Sequence, residues 1–344
     1  MANLKHMNND MAVSPIVATL VLIVVAVIGA VAVGTIMGTF SSDVSKQANA
    51  EGAADVSATE IVIAGSTTVQ PGSELIAKAY MAKNPGVKIS VQGGGSGAGI
   101  SAVGNDIVDI GSSSRAVKSS ESDQWPDLKS YTLGGSAVVV ILNNEGSVTN
   151  VTKAELFNLY NNASTTGIVQ ATIDGNGLLT RDAAGTTYVK VYQRQETSGT
   201  EETFAEYLGY SSKSLDGTGA TTVIGNQGMF DTITGSSGAG TESSPYVLGF
   251  VDYGYWTDGT TSNMDTPSID SNKVSESNVK SAVKYTLGMT TTTPSYPASL
   301  ARGLYYITNG NPNSVVKNYV LFAQSPEGSE LINEAGMFGN AALA

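Results

Sequence analysis

The sequence contains no cysteine and a single histidine, His6. Without cysteine there is no disulfide scaffold, thiol nucleophile or thiolate zinc site. His6 lies ahead of a long hydrophobic segment, so the remainder of the chain has no imidazole. That excludes a Ser-His-Asp triad and a histidine-rich metal centre, and no enzyme activity and no cofactor are expected. Charge is also scarce: Asp, Glu, Lys and Arg make up 14% of the 344 residues, against about 25% in average soluble chains. The formal balance is −12, which argues against nucleic acid as a partner, because a phosphate backbone calls for a basic face. Any anion held here must be held by neutral donors and a few well-placed cations. Glycine, in contrast, is plentiful at 39, and Ser and Thr are abundant. The length suggests about two domains.

Residues 11–40 carry no charge, a run longer than the about 20 apolar residues that cross a bilayer. Lys5 precedes it and Asp43 follows. That asymmetry places the short N-terminus inside and the large body outside. The run exceeds the short apolar core of a secretory signal peptide, and its β-branched, Ala- and Gly-rich texture suits helix–helix packing. The stretch Ala12-Val13-Ser14-Pro15-Ile16-Val17-Ala18, followed by Leu20 to Val24, resembles the N-terminal segment of archaeal type IV pilin-like proteins. That resemblance implies a short leader removed before the helix, and a helix that either anchors the protein or packs into a filament by self-assembly. The preceding Asn8-Asn9-Asp10 departs from the pattern, giving no basic cleavage context. Residues 1–42 are thus read as leader and membrane or pilin-like helix, and 43–57 as a small-polar linker.

The body alternates strand-like and helix-like stretches. Residues 60–64, 87–91 and 107–110 read as strands, and 73–83 and 98–103 as helices. Each of the three strands runs into a turn rich in Gly, Ser or Thr. Residues 137–142, 188–192, 247–251 and 303–308 read as further strands, and 153–160, 201–208, 315–323 and 329–334 as helices. Residues 163–187 form a Gly/Thr-rich excursion, and 211–245 carry no clear pattern. Such alternation implies an α/β unit with a parallel sheet, with ligands beyond the carboxyl ends of its strands.

Backbone N–H groups and hydroxyls that converge at helix N-termini suit anions, because those donors lack intrahelical partners and the helix dipole is favourable. Four places qualify: Thr67-Thr68, Ser96, Ser114 and Ser198-Gly199-Thr200. Glycine allows close backbone approach. Arg194 adds a planar fork that can grip two oxygens.

In this order the motifs resemble the substrate-binding proteins of phosphate-specific ABC transporters, over about residues 58–344. The residues that carry the likeness are Ala64-Gly65-Ser66-Thr67-Thr68 with Pro71, Gly93-Gly94-Gly95-Ser96 and Val108-Asp109-Ile110-Gly111-Ser112-Ser113. Further matches are Arg194 with Ser198-Gly199-Thr200, Tyr296-Pro297, and Ser325-Pro326-Glu327-Gly328. The resemblance implies a two-lobed α/β fold of the type II periplasmic-binding-protein kind. Lobe I would comprise 58–134 plus 295–344 and lobe II 135–294, with hinge crossings near Gly134-Gly135 and Tyr296-Pro297. It implies extracytoplasmic binding of inorganic phosphate by hinge closure and delivery to an ABC permease. Thr67, Thr68, Ser96, Ser114, Arg194, Ser198, Gly199 and Thr200 would line the phosphate, with Glu196 paired to Arg194 and Arg115 adding charge nearby. Some family members have aspartate where this chain has Ser114. Serine does not repel a fully ionised oxyanion, so sulfate, tungstate and molybdate stand as other ligands. A pilin-like filament displaying the binding domain is the structural alternative.

Overall fold

Three short strands each end in a tight turn at the same edge of one sheet. They are β1 (Thr59–Gly65), β2 (Val87–Gln92) and β3 (Ile110–Ser113), interleaved with helices α1 (Gln70–Lys83), α2 (Ser96–Gly104) and α3 (Ser119–Gln124). The computed structural model describes residues 59–143, 148–196, 198–258 and 264–344. The hydrophobic segment and linker expected over residues 1–57 lie outside the described residues. Among the described residues no helix is long and apolar enough to cross a membrane.

β1 pairs in parallel with both β2 and β3. The third strand starts later than its apolar character suggests. Residues 107–110 were expected to form it, yet Ile107 is 73% exposed and Asp106 has a left-handed φ of 54°. The Asp109 carboxylate accepts from the Val62 amide at 2.8 Å, fixing this stretch as the turn into the strand. The strand itself is Ile-Gly-Ser-Ser. Small residues are needed there because α2 presses on it: a Cβ at Gly111 would sit 2.6 Å from the Gly99 carbonyl oxygen.

β4 (Leu128–Asn143) then carries the chain from one half of the fold to the other. Its residues from Leu133 onward are all buried, as expected for a strand covered on both faces. Beyond it follow β5 (Asn150–Val151), α4 (Lys153–Asn161), β6 (Ile168–Ile173), β7 (Leu178–Arg181) and β8 (Thr187–Arg194). Next come α5 (Gly199–Leu208), β9 (Thr221–Val223), α6 (Gly225–Thr234), β10 (Tyr246–Asp252), α7 (Tyr253–Asp258), β11 (Ser268–Ile269) and α8 (Glu276–Thr286). The chain returns through β12 (Ala301–Asn309), then α9 (Ser314–Ala323), α10 (Pro326–Glu334), β13 (Phe338–Gly339) and α11 (Asn340–Leu343). The excursion over 163–187 therefore contains two strands, and the patternless 211–245 contains a strand and a helix. Gly- and Thr-rich composition hid their periodicity.

The sheet is mixed rather than parallel throughout. Its order is β11-β5-β7-β6-β8-β10-β4-β12-β3-β1-β2, with β9 beside β8 and β13 beside β4. β12 runs antiparallel to β3 and to the first half of β4, whereas β10 runs antiparallel to the second half of β4. The two halves of β4 thus belong to two different packing units.

Two main apolar cores result. One gathers Ile61, Ile63, Ile76, Ile110, Leu133, Leu304, Tyr306 and Tyr319. The other gathers the Ala137 to Leu142 run, Tyr160, Phe204, Phe250, Tyr296 and Leu300. β4 passes between cores from Leu133 to Ala137. The return passes between Ala301 and Leu304, later than the expected Tyr296-Pro297. Tyr296 is held in the second core, where its hydroxyl donates to the Val138 carbonyl at 2.6 Å. Gly134 is required at the first crossing, because a Cβ there would lie 2.0 Å from the Phe338 carbonyl oxygen of β13.

In the second core Phe204 and Phe250 stack with centroids 4.4 Å apart, both fully buried. Truncating Phe250 to alanine removes that stack and leaves a cavity. The expected loss is about 3–5 kcal/mol of unfolding free energy, measured by urea denaturation.

Candidate anion-binding site

Turns from both cores meet at one buried point. In the β1–α1 turn the Ser66 hydroxyl accepts from the amides of Thr68 and Val69 at 3.2 and 3.4 Å. This local hydrogen-bonded turn turns the buried Thr68 toward the second core. Ser96 is the first residue of α2. Its hydroxyl accepts from the Ser114 amide at 3.1 Å and lies 3.2 Å from the Ser114 hydroxyl. Ser114 was expected at a helix N-terminus, but it is not there: β3 ends at Ser113 and α3 begins only at Ser119. Its position is set instead by Ser96 and by the bend that follows β3.

From the second core comes the start of α5. Ser198 is its N-cap, accepting from the amides of Thr200 and Glu201 at 3.2 and 3.3 Å. Gly199 approaches the first core so closely that a Cβ would fall 2.5 Å from the Ser96 hydroxyl and 2.6 Å from that of Ser114. The Thr200 and Thr68 hydroxyls share a hydrogen bond of 3.0 Å. Hydroxyls from both halves of the fold, with the N-terminal turn of α5, therefore face one another directly.

Arg194, the last residue of β8, is 2% exposed. Its guanidinium donates to Thr67 Oγ1 at 2.9 Å and to Asn226 Oδ1 at 3.0 Å, and pairs with Glu196. Glu196 also accepts from the Gly225 amide at 3.3 Å, anchoring it to α6. Burial pushes the Arg194 pKa below its ordinary value, opposed by Glu196 and reinforced by the positive charge of Arg302. All eight expected lining residues thus fall in one cluster, and Glu196 sits on the arginine.

Arg115 does not join them. Its two terminal nitrogens each donate to Glu121 at 2.8 Å, and its Nε pairs with Glu202. Burial alone would lower its pKa, but the two carboxylates outweigh that and raise it. Arg115 neutralises the outer side of α5 and takes no part in the hydroxyl cluster.

Four residues in the cluster lay outside the expected set: Arg302, Asp252, Asn226 and Ser136. Arg302, on β12, is 4% exposed. Its Nη2 donates to Asp252 Oδ2 at 2.6 Å, Thr200 Oγ1 at 3.0 Å and Thr68 Oγ1 at 3.2 Å. Burial lowers its pKa and Asp252 counters the effect. Asp252 accepts in turn from Ser136 Oγ at 2.8 Å and from the Gly254 amide at 3.0 Å. Asn226 bridges the halves, donating to Thr68 Oγ1 at 3.0 Å. A signal for Arg302 existed: it is the one charge in the apolar strand ARGLYYITN. Asn226, in the patternless region, carried none.

Chemically, the cluster combines two buried guanidiniums, each with one carboxylate, with hydroxyls that both donate and accept. That set of fixed charges and two-way hydroxyls suits binding of a compact oxyanion. Two cores crossed by two strands, with a polar cluster between them beyond the strand ends, define the two-lobed type II periplasmic-binding-protein fold. The chain belongs to the family described as the PBP superfamily domain, which it matches over residues 46–327. It is 25% identical over 237 residues to a phosphate-binding protein PstS of Bacillus subtilis, covering 68% of this chain and 70% of that protein. A phosphate-binding protein PstS of Borreliella burgdorferi is 23% identical over 280 residues, 81% of this chain and 89% of that one. Among solved structures, a Clostridium perfringens protein with bound phosphate superimposes with TM-score 0.62 at 19% identity, covering 82% of this chain and 99% of that one. An ABC-type phosphate transport receptor from Vibrio cholerae gives TM-score 0.59 at 22% identity, covering 81% and 99%.

Replacing Asp252 by asparagine leaves the buried Arg302 without its counter-charge. The expected cost is about 3–5 kcal/mol of stability, seen as a lower urea midpoint in ligand-free protein.

Proposed function

We propose that this chain is an extracytoplasmic receptor that binds inorganic phosphate between two closing lobes and delivers it to an ABC permease. The observation that carries this reading is the meeting of Thr68, Ser96 and Ser114 from one core with Gly199, Thr200 and Arg194 from the other. Neither core alone presents a complete set of donors, so an anion gripped by both would hold them together. The relatives named as phosphate-binding proteins support phosphate as the ligand and a permease as the partner.

The lobes follow the two cores: about residues 58–134 with the chain beyond the return crossing near 301–304, and about 135–300. Closure turns on the two crossing strands, β4 and β12, which are few enough to flex as a hinge. The phosphate touches Thr67, Thr68, Ser96, Ser114, Arg194, Ser198, Gly199 and Thr200. Glu196 holds the Arg194 fork in plane. The uncharged run over residues 11–40 tethers the protein to the outer face of the membrane. The pilin-like stretch Ala12 to Ala18 favours a second arrangement, in which this segment packs into a filament; electron microscopy of native material separates filaments from membrane-bound monomers.

The deciding experiment is isothermal titration with phosphate, then with sulfate and molybdate, after ligand is stripped by unfolding and refolding. Arg194→Ala is expected to weaken phosphate binding at least about tenfold, since a charge-assisted hydrogen bond contributes about 1.5–3 kcal/mol. Affinity within twofold of the parent removes Arg194 from the site. A folded parent that binds sulfate or molybdate but not phosphate makes it a receptor for that anion instead.

A further inference from the structure

Arg302 presents more hydrogen-bonding capacity than its neighbours use. Its Nη2 makes all of its contacts, to Asp252, Thr68 and Thr200. Its Nε and Nη1 are buried and have no hydrogen-bond partner among the described residues. A buried donor left unpaired is rare in native proteins and calls for a physical reason. A guanidinium is least easily left so, since it presents five N–H groups and cannot shed its charge.

The side chain is also fixed in place. Arg302 stands opposite Ser136 in the antiparallel register of β12 and β4. Ser136 donates to Asp252 Oδ1, and Asp252 Oδ2 receives Arg302. Three residues from β4, β10 and β12 thus lock the fork with its Nη2 against the contact between Thr68 and Thr200. Those two hydroxyls belong to turns of different cores, whereas Arg302 is mounted on the return crossing itself, between Ala301 of the second core and Leu304 of the first. It is therefore the cation whose position depends on neither turn alone.

We propose that Arg302 is a second guanidinium of the oxyanion site, giving the bound anion its free Nε and Nη1 donors, with Asp252 and Ser136 as its positioning residues. The inference rests on the oxyanion reading above and adds to it a residue and a charge requirement. Two arginines, each already neutralised by one carboxylate, offer a compact tetrahedral oxyanion two planar forks. Arg302 also ties closure to occupancy, because the same guanidinium that meets the anion bonds a hydroxyl of each lobe.

The test is phosphate titration of the purified full chain in three forms: parent, Arg302→Lys and Arg302→Gln. Lysine keeps a charge facing Asp252 but lacks the two free donors. Arg302→Lys is expected to melt, without ligand, within a few degrees of the parent and to bind phosphate at least about tenfold more weakly, with Arg302→Gln weaker still. Binding by Arg302→Lys within twofold of the parent overturns the proposal, while a large loss in Arg194→Ala in the same series leaves the oxyanion reading standing. A parent that binds sulfate or molybdate instead of phosphate carries the same comparison to that anion. A parent that binds none of the three overturns both readings. If Arg302→Lys does not fold, the double variant Arg302→Gln with Asp252→Asn, which removes the buried pair together, is judged by the same twofold limit.

Discussion

Burying a positive charge is the constraint around which the inner part of this protein is arranged. A guanidinium in a dry interior is tolerable only when it is paired and hydrogen-bonded. Arg194 and Arg302 are both almost fully buried, and each has one carboxylate within reach: Glu196 for the first, Asp252 for the second. Those carboxylates are in turn pinned by backbone amides, Gly225 for Glu196 and Gly254 for Asp252. The elements that carry the pins, α6 and the β10–α7 junction, must therefore pack where they do. Asn226 closes the network by accepting from Arg194 and from the Asp252 amide while donating to Thr68.

That network explains how a chain with a net charge of −12 can hold an anion. Long-range repulsion from scattered surface carboxylates is screened over about 8 Å at physiological ionic strength. The donors in the cluster act at hydrogen-bond distance in a buried setting, where each contact is stronger than in water. Arg115 shows the other use of arginine. Paired with Glu121 and Glu202, it settles the charge around the first turn of α5 and leaves the hydroxyl cluster to Arg194 and Arg302.

Closeness is the second requirement, and glycine supplies it. A side chain at Gly199 would strike Ser96 and Ser114, and one at Gly134 would strike β13. The first glycine lets the two halves touch; the second lets β4 pass from one core to the other while β13 lies across it. Site and crossing are in this sense built with the same device, the removal of a Cβ where two backbones must approach.

Much of the site was legible because turn chemistry is local. Thr67, Thr68, Ser96 and the Ser198-Gly199-Thr200 cap all lie where a strand passes into a helix, and that passage is written in neighbouring residues. Ser114 was placed correctly in the cluster for the wrong structural reason, since a partner eighteen positions away, Ser96, holds it rather than a helix end. β3 was misplaced because exposed Ile107 and half-buried Val108 look more strand-like than Ile-Gly-Ser-Ser, and only the pressure of α2 makes small residues the better choice. The sequence by itself determined the alternation of strands and helices, the turns that present hydroxyls, and the exclusion of thiol and imidazole chemistry. Tertiary structure alone decided that Asp252 and Asn226 join the cluster, and that Arg302, marked in the sequence only as the lone charge of an apolar strand, meets them there. Their contacts depend on which strands pair and in what register, and no local pattern records a partner tens of residues away.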